Sequence, residues 1–163
     1  MSCRGVFFAI EKSESKKLRK CKNDDELVEY IQENIEEEWD EEWLCETDKA
    51  WDAMHRCFAD GKLELFGGKP PLNSIIFGGE ILNTEPDYYV SFKNNILAKE
   101  IAKEISLISK EKLQELYYKI TDDYQGELDN EDFEYTWEWF ESVKVFYEKV
   151  AKSKRDIIFT VDQ

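Results

Sequence analysis

Short continuous hydrophobic runs stand near both ends of the chain. Gly5–Glu11 reads GVFFAIE, and residues 155–163 read RDIIFTVDQ. Runs of branched and aromatic residues of this length are typical of buried β-strands. Each strand must be covered on both faces, and the simplest arrangement pairs the two strands in a small sheet wrapped by helices. The pattern therefore predicts a mostly helical α+β fold, with residues 1–163 forming a single domain.

The longest periodic segment follows the first strand. Asn23 is a good helix N-cap, and Glu26 three residues later completes a capping box. Large apolar residues then recur every four positions, at Leu27, Ile31, Ile35, Trp39 and Trp43. This spacing predicts one amphipathic helix over Asp24–Asp48, with carboxylates covering most of its outer face.

Helical spacing also predicts several shorter elements. The pattern favours a basic helix capped by Ser13, a helix from Asp48 to Ala59, a short helix between Pro71 and Gly78, a strand at Tyr88–Phe92, a helix capped by Ser91 with Ile96 and Ile101 inward, a helix capped by Ser109, and a long helix capped by Asn130. An acidic loop at 121–132 precedes the long helix.

Charge narrows the classes of partner. The net charge is -15, and Asp24–Asp48 holds thirteen acidic residues with no Lys or Arg. An acidic surface repels phosphate backbones and anionic bilayers, so we expect neither a nucleic acid nor a membrane partner. A basic protein would be attracted. We therefore take Glu36, Glu37, Asp40 and Glu41 as candidate partner-binding residues, with an ordinary solvated acidic face as the alternative.

The cysteines bear on location and on metal chemistry. Cys3, Cys21, Cys45 and Cys57 form no C-x-x-C pair, and the first apolar run is too short for a secretory signal. The expected location is cytoplasmic. With one histidine and scattered cysteines there is no zinc spacing, and the acidic loop lacks the pattern of a calcium-binding loop. We predict no metal site and no cofactor.

The single histidine lies in a helical stripe. Trp51, Met54, His55 and Phe58 share the inward face of the predicted third helix, and Asp52 lies three residues before His55. A carboxylate beside an imidazole can orient a general base. The alternative is a half-buried histidine whose ring is satisfied by a carboxylate or a backbone carbonyl. The second interpretation is favoured because no nucleophile motif accompanies His55.

The order of several segments resembles the YfbM-like family, small bacterial proteins grouped as a domain of unknown function. The resemblance rests on the GVFFAIE strand, on the motif W-D-x-x-H, and on the P-L…G-G segment. The residues of the last two motifs are Trp51, Asp52, His55, Pro71, Leu72, Gly78 and Gly79. It implies the fold and a bacterial source, but no reaction. The dense carboxylate run Glu36–Glu42 and the sequence RCFADGK after His55 depart from the expected pattern.

Two functions remain open from the sequence. The leading hypothesis is a non-catalytic binding protein, of inhibitor or immunity type, that meets a basic protein through its acidic helix. The alternative is a small-molecule-binding or hydrolytic site around Trp51, Asp52 and His55. For that site the candidate ligand-binding residues are Trp51, Asp52, His55, Gly78 and Gly79.

Overall fold

The two terminal strands lie side by side at the centre of the sheet. The structure is a computed structural model that describes residues 3–83, 87–121 and 123–162. Strand β1 (Gly5–Ile10) pairs antiparallel with the last strand (Asp156–Asp162), with Phe7 opposite Phe159. The predicted pairing of the terminal strands is confirmed.

Three further strands in the described part of the chain complete an antiparallel sheet of five. They are β2 (Leu44–Asp48), β3 (Glu80–Ile81) and β4 (Tyr88–Lys93), so the last strand is β5. The spatial order is β2-β1-β5-β4-β3. Tyr88–Phe92 was correctly predicted as a strand, whereas β2 was not predicted.

Within the described residues, six α-helices cover the sheet. They are α1 (Lys12–Arg19), α2 (Asp24–Ile31), α3 (Trp51–Phe58), α4 (Asn95–Ile105), α5 (Lys110–Tyr117) and α6 (Asn130–Ala151). The short helix predicted after Pro71 is a single 3₁₀ turn at Leu72–Ser74. Together these elements form the predicted mostly helical α+β domain.

The central strands are buried on both faces. Along β1, Phe7 and Ala9 belong to one core with α3, α4, α5 and α6. Phe8 and Ile10 belong to a second core with α1 and α2. Alternate residues of a strand point to opposite faces, so a continuous apolar run is what a strand between two helical layers requires.

The long acidic helix predicted over Asp24–Asp48 is wrong in its second half. Helix α2 ends at Ile31, one π-helical turn spans Gln32–Glu36, and the backbone then turns at Trp39, where φ is +45°. Carboxylates at i,i+4 repel one another along this segment, and no basic residue offsets them. Leu44–Asp48 instead pairs antiparallel with β1 as β2, with one break in register between Gly5 and Val6.

Helix starts were predicted with mixed success. The Ser109 side chain accepts from the Lys112 N–H, so its predicted cap is confirmed. The cap of α4 is Asn94, three residues after the predicted Ser91. The cap of α6 is Asp129, one residue before the predicted Asn130. Ile96, predicted to face inward, is 71% exposed, because a separation of five residues at 3.6 residues per turn places it on a different face of α4 from the buried Ile101.

Candidate functional site

His55 is sealed inside the protein. It is 2% exposed, its Nε2 lies 2.6 Å from the carbonyl oxygen of Glu64, and its ring meets Phe77 edge-on at 5.1 Å. A carbonyl only accepts, so Nε2 carries the proton and donates. Burial lowers the pKa of His55 to about 4, because charging the ring there would cost its hydration. The neutral ring therefore fixes the segment around Glu64 to α3.

Gly78 and Gly79 occupy a backbone turn above a buried lysine. Both have positive φ, and a Cβ on Gly79 would lie 2.5 Å from the carbonyl oxygen of Phe92. The Nζ of Lys93 donates to the carbonyl of Ile76 and to Ser91 Oγ, which itself donates to the Gly78 carbonyl at 3.0 Å. The two glycines therefore tie their segment to β4.

Trp51 and Asp52 line a cleft that neither His55 nor the two glycines line. The cleft has a volume of about 950 Å³ and lies between α3, the first turn of α6 and the loop that precedes α6. Its described lining holds six carboxylates and two basic residues. The carboxylates are Asp52, Asp123, Glu127, Asp129, Glu131 and Asp132. Only two of the five predicted ligand residues thus share a concave site.

At the α3 end of the cleft, Arg56 is clamped between two carboxylates. Its Nε lies 2.5 Å from Asp52 Oδ1 and its NH1 lies 2.8 Å from Asp123 Oδ1. The guanidinium is only 3% exposed and lies 5.6 Å from the centre of the Tyr124 ring. A planar cation is thus already held here by carboxylates and an aromatic face.

The pKa values of Asp52 and Asp123, the two carboxyls bound to Arg56, are shifted in opposite directions. Burial raises the pKa of the Asp52 carboxyl, and the Asp123 and Asp132 carboxylates act in the same direction, against the bond from Arg56. The Thr121 hydroxyl, which donates to Asp123 at 2.8 Å, holds the pKa of Asp123 below its usual value, helped by Arg56. Asp52 is therefore the carboxyl of this pair that protonates more easily.

The first turn of α6 forms the opposite wall. Asp129 Oδ1 accepts the backbone N–H of Asp132 at 2.8 Å and caps the helix. Asp132 Oδ2 accepts from the hydroxyls of Tyr117, at 2.5 Å, and Tyr124, at 2.7 Å. Burial, with these bonds to Asp132, raises the pKa of both tyrosines. Both carboxylates are therefore held in fixed orientations.

The remaining wall is anchored to the sheet. The Tyr135 hydroxyl donates to Asp48 Oδ2 at 2.7 Å, and the Lys49 backbone N–H donates to that hydroxyl at 3.2 Å. The Trp51 indole N–H donates to the carbonyl of Cys3 at 2.7 Å. The aromatic floor of the cleft is thus built from hydrogen-bonded, preoriented rings.

The predicted partner-binding residues lie elsewhere and divide into two kinds. Glu36 is half-buried on the sheet, where its Oε1 accepts from Tyr88 at 2.5 Å and from Thr160 at 3.1 Å. Glu37, Asp40 and Glu41 are exposed around the turn at Trp39. Glu36 therefore supports the fold, while the other three remain available at the surface.

The described residues hold neither a cluster of side chains suited to a metal ion nor a helix suited to span a bilayer. Within residues 3–83, 87–121 and 123–162, no three His, Cys, Asp or Glu side chains are grouped to hold a metal ion. None of the described helices is both long enough and apolar enough to cross a bilayer.

Sequence reasoning missed the α6 side of the cleft. Residues 121–132 were recognised only as an acidic loop, although Tyr124 and the Asp129 cap are both visible in that stretch. The missing information was that Arg56 of α3 binds Asp123, which lies 67 residues later in the chain, and so brings the loop close to Asp52. That contact joins segments whose spacing in sequence carries no signal.

Comparison with known proteins supports the fold and leaves the activity open. The model of a family described as a domain of unknown function, DUF1877, matches residues 1–160. The crystal structure of a protein of unknown function, YfbM from Escherichia coli, is similar at a TM-score of 0.69 and 15% identity, covering 97% of this chain and 99% of that chain. No curated protein sequence matches this one. The resemblance predicted from the sequence is confirmed, and the chain belongs to the DUF1877 family of unknown function.

Proposed function

We propose that the protein is a non-catalytic binding protein whose cleft takes a positively charged segment of a basic protein. The observation that carries the proposal is the concave site of about 950 Å³, in which six carboxylates surround an aromatic floor. An inhibitor- or immunity-type role toward that partner fits this surface. The proposal moves the contact from the predicted acidic helix to the cleft.

Charge and preorganisation both support this choice. Of the cleft carboxylates, Glu127 and Glu131 form no ion pair with any residue in the described ranges. The net charge of -15 would steer a basic partner toward the molecule and raise its association rate. The rings of Trp51, Tyr124 and Tyr135, which line the cleft, add favourable contact with a cation.

The test compares two charge-matched variants. Hexaarginine binding is measured by calorimetry at fixed salt for the wild type, for Glu127→Gln/Glu131→Gln in the cleft, and for Glu37→Gln/Glu41→Gln on the exposed turn. We expect the cleft variant to bind at least about fivefold more weakly and the turn variant to stay within about twofold of the wild type, since close charges matter most.

The outcomes separate the two surfaces. Weakening of the turn variant alone would return the interface to Glu37 and Glu41. Equal weakening of both would show only a long-range charge effect. Absence of hexaarginine binding by the wild type would reject the proposal.

A second candidate is a small-molecule or hydrolytic site in the same cleft. It is favoured by the raised pKa of Asp52, which suits a proton donor, and by a volume within the range of small-ligand sites. His55 takes no part in it, because the cleft lining does not include that residue. A ligand panel that shifts the melting temperature of the wild type but not of Asp52→Asn would favour this candidate.

The proposed location is cytoplasmic. Cys3, Cys21, Cys45 and Cys57 are all free thiols, which suits a reducing compartment. A bacterial source remains an expectation from the family resemblance.

A further inference from the structure

The outer edge of β2 is open. β2 lies at one end of the sheet, so only one of its edges pairs with β1. Directly before β2, the Ala9 N–H donates to the carbonyl of Trp43 at 2.7 Å, and the register is unbroken from there to Glu46. Bonded and non-bonded pairs alternate along an antiparallel ladder. Leu44 and Glu46 are therefore the residues of this stretch whose N–H and C=O groups point away from β1.

No described neighbour covers these outward groups. The Cys45 thiol contacts the Glu46 carbonyl at 3.6 Å, and in the described part of the chain no other hydrogen bond reaches the outward groups of Leu44 and Glu46. Glu46 is exposed, and Leu44 is half-buried. Leu44–Asp48 contains neither lysine nor proline, which commonly protect an edge strand from pairing. The edge is therefore a template to which an extended segment can add as a further strand.

The charges around this edge favour a basic strand. Glu46 is exposed, and so are three carboxylates of the turn before β2, those of Glu37, Asp40 and Glu41. Two basic residues at the edge are already engaged, because Lys149 donates to the carbonyl of Glu42 and Arg4 pairs with Asp48 at 3.2 Å. Opposite charges on paired strands attract and like charges repel. A second copy of β2, which brings its own Glu46, is therefore disfavoured.

β2 leads towards the cleft. Its last residue, Asp48, accepts from the Tyr135 hydroxyl, and Lys49 follows directly in the chain. Tyr135 and Lys49 both line the cleft. A segment that pairs with β2 therefore runs up to the carboxylate-lined cavity.

We infer that the basic segment of the partner adds to β2 as a sixth strand of the sheet, with its backbone bonded to Leu44 and Glu46 and its end in the cleft. This inference rests on the proposed function and adds the way in which the segment is held. Backbone pairing supplies affinity, while a basic side chain beside Glu46 supplies preference for one class of partner. A segment held by charge alone would form no such backbone bonds.

Amide hydrogen exchange tests these backbone bonds directly. Exchange of the Leu44 and Glu46 N–H groups is followed by NMR with and without saturating hexaarginine, and the Glu41 N–H of the exposed turn is the control. We expect exchange at Leu44 and Glu46 to slow at least about tenfold and exchange at Glu41 to stay within about twofold, because a hydrogen bond protects an amide that water otherwise reaches.

A matched pair of variants tests the same contact by affinity. Glu46→Pro removes the outward N–H, which an edge strand tolerates, whereas Glu46→Gln removes only the charge. We expect hexaarginine to bind Glu46→Pro at least about fivefold more weakly than Glu46→Gln, since the proline leaves a backbone bond unmade.

A modified peptide replaces the proline variant if Glu46→Pro melts much lower than the wild type. Hexaarginine methylated on its third and fourth backbone nitrogens keeps its charge. Successive N–H groups of a strand point to opposite edges, so two adjacent methyl groups block both edges. We expect this peptide to bind the wild type at least about fivefold more weakly than hexaarginine.

Each result has a defined meaning. Hexaarginine that binds without slowing exchange at Leu44 and Glu46 would overturn strand addition and leave the basic-partner proposal intact. Equal slowing at Glu41 would also overturn it, because a general charge effect would then explain the change. Equal affinity of Glu46→Pro and Glu46→Gln, or of the methylated and unmethylated peptides, would have the same consequence. Absence of hexaarginine binding would reject the proposed function itself.

Discussion

The imidazole of His55 donates through Nε2 to the carbonyl oxygen of Glu64, 2.6 Å away, in the interior of the protein. The bond joins the core helix α3 to the irregular segment that follows it. It also makes the only histidine in the sequence a reporter of that junction.

Protonation of His55 is expected to destabilise the protein in mild acid. Burial lowers its folded-state pKa to about 4, below the ordinary value of 6.5. The unfolded chain therefore binds a proton first, and stability present above pH 6.5 is lost as pH falls toward 4, by on the order of 3 kcal/mol. Urea unfolding of the wild type and His55→Gln between pH 4 and 7.5 measures this contribution.

As a control, the titration of the His55 ring is measured by NMR. A ring that titrates near pH 6.5 in the folded protein would contradict the buried geometry. A slope of stability against pH that is the same in His55→Gln would show that other groups cause it.

Lys93 is expected to cost stability at neutral pH. It is fully buried, its Nζ donates to the carbonyl of Ile76 and to Ser91 Oγ, and the ring centres of Phe7 and Phe159 each lie 5.9 Å from Nζ. Burial holds the pKa of Lys93 well below its usual value. The unfolded chain binds the proton more readily, so this group makes stability rise with pH up to about 10.5, where the unfolded lysine also loses its proton.

Lys93→Met tests that cost. Methionine fills a similar volume without a group to desolvate, and we expect it to raise the free energy of unfolding at pH 7 by at least ~1 kcal/mol. Denaturant unfolding at pH 7 and pH 9.5 should show a smaller pH dependence in the variant. A loss of stability would show that the bonds from Lys93 to Ile76 and Ser91 outweigh the desolvation cost.

Gly79 is expected to serve the fold and not the ligand. An alanine there would need φ near +60° and would place Cβ against the carbonyl oxygen of Phe92. We expect Gly79→Ala to lower the free energy of unfolding by about 2 kcal/mol. Hexaarginine affinity, measured at a temperature where the variant is folded, should stay within about twofold of the wild type. A selective loss of binding would instead make the glycine pair part of the site.

Arg56 is expected to be coupled to Asp52. Replacement by glutamine leaves the largely buried Asp52 carboxylate without its cation, and should cost about 2–3 kcal/mol of stability, because an unpaired charge is hard to bury. Adding Asp52→Asn removes that charge and should restore part of the loss. The four proteins form a double-mutant cycle, and additive changes would show that the pair is not coupled.

The hydrophobic pattern determined the elements that are apolar along their whole length. β1 and β5 could be predicted, and so could their pairing, because such strands must be covered on both faces. The inward position of His55 followed from the 3.6-residue period around Trp51 and Phe58. Local caps such as Ser109 were equally visible, since capping depends on residues three apart.

Tertiary structure decided the rest. Spacing every four residues predicted a helix through Trp39 and Trp43, yet the backbone turns at Trp39 and β2 forms directly after Trp43. The hydrogen bonds of β2 to β1 outweigh a weak local preference in a self-repelling acidic segment. The cleft depends on Arg56 meeting Asp123, 67 residues later in the chain, and on Tyr117 of α5 meeting Asp132 of α6. Packing makes both contacts between different elements. Periodicity along a chain reports which face of an element is buried. Periodicity does not show which buried faces meet. For this reason the sequence predicted the core, while only the folded chain brought the residues of the cleft together.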